Sequence, residues 1–391
     1  MRLVLFGSSL VSAYWNGAAT YYRGICKALH ARGHQIVFVE PDLYDRQQHR
    51  DLVRDPSYAA VRVCAGWSDL ARELECARGA HLVAKCSGIG GWDSELAEAV
   101  LDLQSPATRV VFWDVDAPQT LASARAEPVD TPGTFRALIP RYDAILLYGG
   151  GPPVEAAYAQ LGARRTQLVY NAVDPAEYYP VPPDPARACD LLFMANRMPD
   201  REQRVAELFF AAAHVAPELA FVLGGNGWGD CQLPANVRWI GHVPTAEHRV
   251  WNSSARLVLN INRADMAAIG YSPPTRVFEA AGCGSCIVTD AWQGIEMFLS
   301  PGHEILVAST AADVVAHLRQ TSPARASAIG AAARSRVLRD HTYAARAADL
   351  DAALAHLFSP QADASHSPGA QVRASAGCSR REAPSAGTVS A

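Results

Sequence analysis

Gly270-Tyr-Ser-Pro-Pro-Thr-Arg-Val-Phe-Glu-Ala-Ala-Gly-Cys-Gly284 runs through Ser285 into Cys286-Ile-Val-Thr-Asp290. Two prolines and two hydroxyls precede a short apolar helix that carries one carboxylate, Glu279, and stops at Gly282 and Gly284. A buried strand follows at once. A helix start offers oriented N–H dipoles to an anion. A carboxylate about one turn further in can accept hydrogen bonds from a ribose diol, as the acidic residue of dinucleotide sites does. The pattern therefore points to recognition of a nucleoside diphosphate. A plain helix entry with a surface glutamate has the same spacing.

Outward from this segment, short apolar runs alternate with helical patterns. Before a proline-rich break, Tyr178-Tyr-Pro-Val-Pro-Pro-Asp-Pro185, strands are expected at Arg2–Phe6, Gln35–Val39, Val61–Ala65, His81–Cys86, Arg109–Trp113, Ala144–Leu147 and Gln167–Tyr170. After it they are expected at Cys189–Ala195, Ala220–Leu223, Val237–Ile240, Leu257–Ile261, Cys286–Thr289 and Ile305–Val307. Continuous buried strands alternating with helices mean an α/β architecture of two doubly wound parallel sheets. The expected organisation is an N-terminal domain over 1–178, a second domain over 187–341 and a closing helix over 342–358. From Ser359 the sequence loses Leu, Ile, Phe, Tyr and Trp, which predicts a disordered tail over 359–391.

Bulk properties narrow the function. The chain has 391 residues, 49% of them hydrophobic and 19% charged, with a net charge of −4 and no block of like charge. Nucleic acid is not the expected partner. Nine scattered cysteines form no paired framework, which suits free thiols and a cytoplasmic location. Cys283-Gly-Ser-Cys286 lies at a helix end rather than a helix start, which argues against a redox pair, and lacks two further ligands for zinc. Met1-Arg-Leu-Val-Leu-Phe6 reads as a first strand rather than a signal peptide. No stretch approaches the ~18 continuous apolar residues of a membrane span.

Ligands of doubly wound sheets bind beyond the carboxyl ends of the strands. That rule selects the remaining candidates. Arg276 is placed to hold a diphosphate, or to pair with Glu279. Ser272 and Thr275 can supply hydroxyl donors where Pro273 and Pro274 have no N–H, or can simply cap the helix. Asn196 and one of Arg197, Arg201 and Arg204 stand in the loop after the first strand of the second domain, with Arg201 best placed at the helix start. Gly7 after the first strand, and Asn16 and Gly17 before the next helix, are small or amide-bearing positions that suit donor phosphates or the sugar. Asp114 and Asp116 end a strand, and either could be the general base toward an acceptor hydroxyl. A solvated turn explains them equally well.

The segment Arg256-Leu-Val-Leu-Asn-Ile-Asn-Arg263, the helix with Glu279, and Asp290 to Ala308 together resemble the C-terminal half of the CgeB-type (spore-maturation) glycosyltransferases. Asn16-Gly-Ala-Ala-Thr-Tyr-Tyr-Arg23, Phe112-Trp-Asp-Val-Asp-Ala-Pro118 and Tyr148-Gly-Gly-Gly-Pro152 look like landmarks of the same family. The resemblance spans residues 1–357 and is most specific over 256–308. It implies the GT-B fold, with a nucleotide-sugar donor held by the second domain and an acceptor hydroxyl presented by the first. Arg201 also resembles an arginine in the family's corresponding loop. Ala18 stands where the family often has His, and Tyr271 where related transferases carry a second Glu, so a two-glutamate donor grip is absent. Asp114-Val-Asp116 spells the D-x-D of metal-dependent transferases with a single such domain. With a nucleotide motif in a second sheet, no metal or other cofactor is expected. The alternatives are a nucleotide-sugar epimerase of similar fold and a non-catalytic, degenerate transferase that binds or scaffolds.

Overall fold

The computed structural model describes residues 1–129 and 131–359. Of the tail expected over 359–391, residues 360–391 lie outside them. Met1–Phe358 forms one compact unit built on two sheets. The first contains β1 (Arg2–Phe6), β2 (Gln35–Pro41), β3 (Ala60–Cys64), β4 (Leu82–Cys86), β5 (Arg109–Asp114), β6 (Ala144–Leu147) and β7 (Thr166–Leu168). Its spatial order is β3-β2-β1-β4-β5-β6-β7, with every pair parallel. The second contains β8 (Cys189–Met194), β9 (Phe221–Gly224), β10 (Val237–Trp239), β11 (Ala255–Asn260), β12 (Ile287–Asp290) and β13 (Leu306–Ala308). Its order is β10-β9-β8-β11-β12-β13, again all parallel.

The strands read so plainly because both faces are covered. Leu3, Val4, Leu5 and Phe6 in β1 are all buried, as are Leu191, Leu192, Phe193 and Met194 in β8. Alternate residues of each strand feed two cores, one on either side of the sheet. The helix that follows β8 begins at Pro199 and is widened by a π-turn over Ala206–Phe210.

In each sheet the winding reverses at the centre. The reversal lies between β1 and β4 in the first sheet and between β8 and β11 in the second. Such a point leaves a crevice beyond the carboxyl ends of the two strands. The last helix, Tyr343–Phe358, crosses back to the first sheet. Its Leu350 and Leu354 join the core made by Leu3, Leu5 and Ile25. The Tyr343 hydroxyl donates to Asn171 Oδ1 at 3.1 Å. Gly24 leaves the space that the Tyr343 ring fills, since a Cβ there would stand 2.1 Å from the ring.

Candidate active site

The two crevices open into one cleft of about 440 Å³. From the first sheet come Ser8 after β1, Ser87 and Gly88 after β4, Val115 and Asp116 after β5, and Trp15 to Ala18 before the helix Ala19–Ala31. From the second come Ala195 and Asn196 after β8, Gly225 after β9, Ile261 to Arg263 after β11, and the helix Thr275–Gly282. Four arginines (46, 201, 263 and 276) face two carboxylates (Asp116 and Glu279), which leaves two positive charges on the lining. In a chain of net charge −4, that local excess favours an anion.

Among the sequence candidates, Asn16, Gly17, Asp116, Asn196, Arg201, Ser272, Thr275, Arg276 and Glu279 line the cleft. Glu279 is 5% exposed and stands on the helix Thr275–Gly282. It lies among phenols from several elements: burial and then the Glu279 charge push Tyr148 and Tyr178 up. Pro274 is the helix N-cap and no side chain caps the helix, so the Ser272 and Thr275 hydroxyls are not spent on it.

The three arginines of the β8 loop separate cleanly. Arg197 pairs with Glu202 and with Asp230 at 2.8 Å, and Arg204 pairs with Asp290. The Arg201 guanidinium forms no ion pair or hydrogen bond among the described residues, and its Nε is buried without a partner. Burial, then the neighbouring charge of Arg276, pushes it down to about 10. Arg276 is likewise unpaired, with Nη1 buried and unsatisfied, and burial lowers it too. Two adjacent guanidinium groups without a carboxylate partner are costly unless an anion joins them.

Asp114 and Gly7 lie off the cleft wall, and Asn16 lines it with its amide already engaged. Asp114 is fully buried and absent from the cleft wall. It accepts from the Tyr158 hydroxyl at 2.6 Å, from Thr120 Oγ1 at 2.9 Å and from the Asp116 N–H at 3.0 Å. Burial holds it above the usual carboxylate range. It therefore fixes the turn after β5 and cannot reach an acceptor. Nor does it converge with Asp116 as a metal-binding pair. No three His, Cys, Asp or Glu side chains among the described residues are grouped to hold a metal ion. Gly7 packs against Phe38, where a Cβ would stand 2.5 Å from the ring. Asn16 spends its amide on its own loop: Nδ2 donates to the Ser9 and Ser12 carbonyls, and Oδ1 accepts from the Ser8 hydroxyl at 3.0 Å. Burial pushes the Cys283 and Cys286 thiols up to about 12, the opposite of a redox pair.

Further groups line the cleft beside these candidates. Arg263 crosses the cleft, with Nη1 2.9 Å from Asp116 of the first sheet while its Nε pairs with Asp200 of the second. Thr245 reaches Asp51 at 3.1 Å from the other side. Arg46 and His248 also line the wall. Trp15 lies in the left-handed region (φ 48°), 43% exposed, at the mouth. Gly225 allows close backbone approach: it has φ 119°, and a Cβ would stand 2.1 Å from the Ala195 carbonyl oxygen. Tyr271 does not line the cleft. It has φ 49°, its N–H donates to Gln293 O and its carbonyl accepts from Gly150, so the segment ties the two sheets together.

Residues 201–352 match a family model described as glycosyl transferase-like. No curated protein matches the chain. Among solved structures, sucrose-phosphate synthase from Thermosynechococcus elongatus aligns with TM-score 0.67 and 16% identity, over 92% of this chain and 99% of that one. Anabaena HepE in complex with UDP-glucose aligns with TM-score 0.61 and 12% identity, over 91% of this chain and 100% of that one. AviGT4, a glycosyltransferase involved in avilamycin A biosynthesis, aligns with TM-score 0.61 and 18% identity, over 92% and 98%. The chain has the GT-B fold of these proteins and is glycosyl transferase-like over 201–352.

Proposed function

We propose that the protein transfers a sugar from a nucleoside diphosphate donor to an acceptor hydroxyl. One observation carries the reading: Arg201 and Arg276 stand unpaired beside Glu279, beyond the carboxyl ends of the second sheet. A diphosphate supplies the charge these arginines lack, and Glu279 takes the ribose diol. Ser272, Thr275 and Asn196 add neutral donors. In this reading residues 1–178 present the acceptor, 187–341 hold the donor, and 342–358 close the fold. The anomeric carbon–oxygen bond to the diphosphate breaks and a bond to the acceptor oxygen forms. The acceptor proton passes to a base on the first sheet, for which Asp116 is our candidate because it lines the cleft. Closure of the cleft excludes water and limits donor hydrolysis.

Uridine is the base to test first, because HepE was solved with UDP-glucose on the same fold. Within GT-B proteins we favour the CgeB-type group, on the residue patterns of 256–308. No described helix is long and apolar enough to cross a membrane. The eight described cysteines are free, which supports our placement in the cytoplasm.

Calorimetric titration with UDP, and UDP release from UDP-glucose with and without added acceptor, test the reading. No UDP binding at millimolar concentration would end it. Glu279→Ala should weaken UDP binding by about 1.5–3 kcal/mol, the range for hydrogen bonds to a charged group. Unchanged affinity in the folded variant would remove Glu279 from the donor site. Transfer should also survive a chelator, because the arginines neutralise the leaving diphosphate. Complete loss in EDTA, restored by Mn²⁺, would show instead that a metal does so.

A further inference from the structure

Of the four cleft arginines, Arg46 is engaged neither by the donor reading nor, unlike Arg263, by an ion pair among the described residues. It lies in the connection from β2 to β3, 5% exposed, on the wall made by the first sheet. Nη1 donates to the Ser8 carbonyl at 3.0 Å and the Ile89 carbonyl at 3.3 Å, so the group is anchored to the loops after β1 and β4. Nε is buried without an acceptor, and Nη2 has none among the described residues. The Nε–Nη2 edge is the one that grips a carboxylate or phosphate through two parallel bonds. Glu40 is the nearby carboxylate, but its oxygens are taken by Ser9, the Leu10 N–H and Gln47. Arg46 is anchored to the loops of the first sheet, whereas Arg201 stands in the helix that follows β8 of the second, so Arg46 forms a separate positive centre on the acceptor side.

We propose that Arg46 binds an anionic group, phosphate or carboxylate, carried by the acceptor. The proposal rests on the glycosyl-transfer reading and adds the chemical class of acceptor. A neutral acceptor would leave the buried Nε–H unpaired, so the pocket selects against it.

The test uses the whole protein saturated with UDP and titrated with glucose, glucose 6-phosphate and glucuronate. At least one anionic sugar should bind about tenfold or more tighter than glucose. The stronger of the two identifies the group as phosphate or carboxylate. Arg46→Gln should erase that preference while UDP affinity stays within about twofold. Arg46→Lys keeps the charge but loses the two-bond fork, and should reduce the preference partly. Anionic sugars that bind no better than glucose to the wild-type protein would overturn the proposal, and this comparison needs no variant to fold. So would a preference that persists in Arg46→Gln, or an anionic sugar that displaces UDP, which would place it against Arg201. Failure of UDP itself to bind would strike the donor reading, and with it this one, before any anion is added.

Discussion

A protein carrying both Arg201→Gln and Arg276→Gln is expected to bind UDP about 3–6 kcal/mol more weakly than the wild type. That is twice the ~1.5–3 kcal/mol of one hydrogen bond to a charged group. The same protein should melt no lower than the wild type when no nucleotide is present. The two effects part because the arginines are desolvated, adjacent and in no ion pair among the described residues. The Arg276 charge opposes the charged state of Arg201, so neutral and shorter glutamines remove a cost of folding. An arginine that merely braces the loop behaves in the opposite way. Arg204, paired with the buried Asp290, is such a control. Its loss leaves an uncompensated buried carboxylate, so Arg204→Gln should lower the melting point and disturb UDP binding only secondarily. Because Arg201 and Arg276 are neighbours, the loss in the double variant need not divide equally between the single substitutions. Calorimetric affinities with ligand-free melting curves decide the matter. Unchanged UDP affinity in the double variant, or a fall of several degrees in its ligand-free melting point, would show that the two arginines serve the fold rather than the donor.

What the sequence disclosed, and what it hid, follows from the range of the interactions involved. The strands were legible because parallel sheets covered on both faces are apolar throughout, as in Leu191 to Met194. Glu279, Arg276 and Thr275 were legible as a group because one short helix carries all three. The loop arginines could not be ranked by spacing alone. Arg197 pairs with the nearby Glu202 but also with Asp230, which is 33 residues away, and Arg204 pairs with Asp290, which is 86 residues away. Whether a guanidinium is free to meet a ligand is thus a tertiary fact. What the Asn16 amide bonds to and what Gly7 packs against are hidden for the same reason. An amide that ties its own loop and a glycine that admits a phenylalanine ring look identical in sequence to groups that face a phosphate. Arg46 sits in the polar run Asp45-Arg-Gln-Gln-His-Arg50, where nothing local distinguishes it from its neighbours. Arg263 meets Asp116 across 147 residues, and only the facing of the two sheets brings them together.

That facing depends on the last helix, and Leu350→Ala combined with Leu354→Ala should expose the dependence. Both leucines are completely buried one turn apart on Tyr343–Phe358, in the core of the first sheet, although the helix follows the second sheet in the chain. A buried Leu→Ala change costs about 2–5 kcal/mol through lost transfer energy and the cavity left behind. The two sites share neighbours, so the pair should cost somewhat less than the sum, or about 4–8 kcal/mol. Set against the ~5–15 kcal/mol that holds a typical domain folded, this is a large fraction. The loss should appear as a lower urea midpoint. If the helix only detaches, leaving the two sheets folded, UDP affinity should survive while transfer falls, because Tyr343 would no longer reach Asn171 and the first sheet would lose its fixed position over the donor. If the chain unfolds as one unit, both activities disappear at the same urea concentration. A double variant with an unchanged midpoint and undiminished transfer would mean that the contacts between the sheets across the cleft, Arg263 with Asp116 and Thr245 with Asp51, are sufficient to align them without the helix.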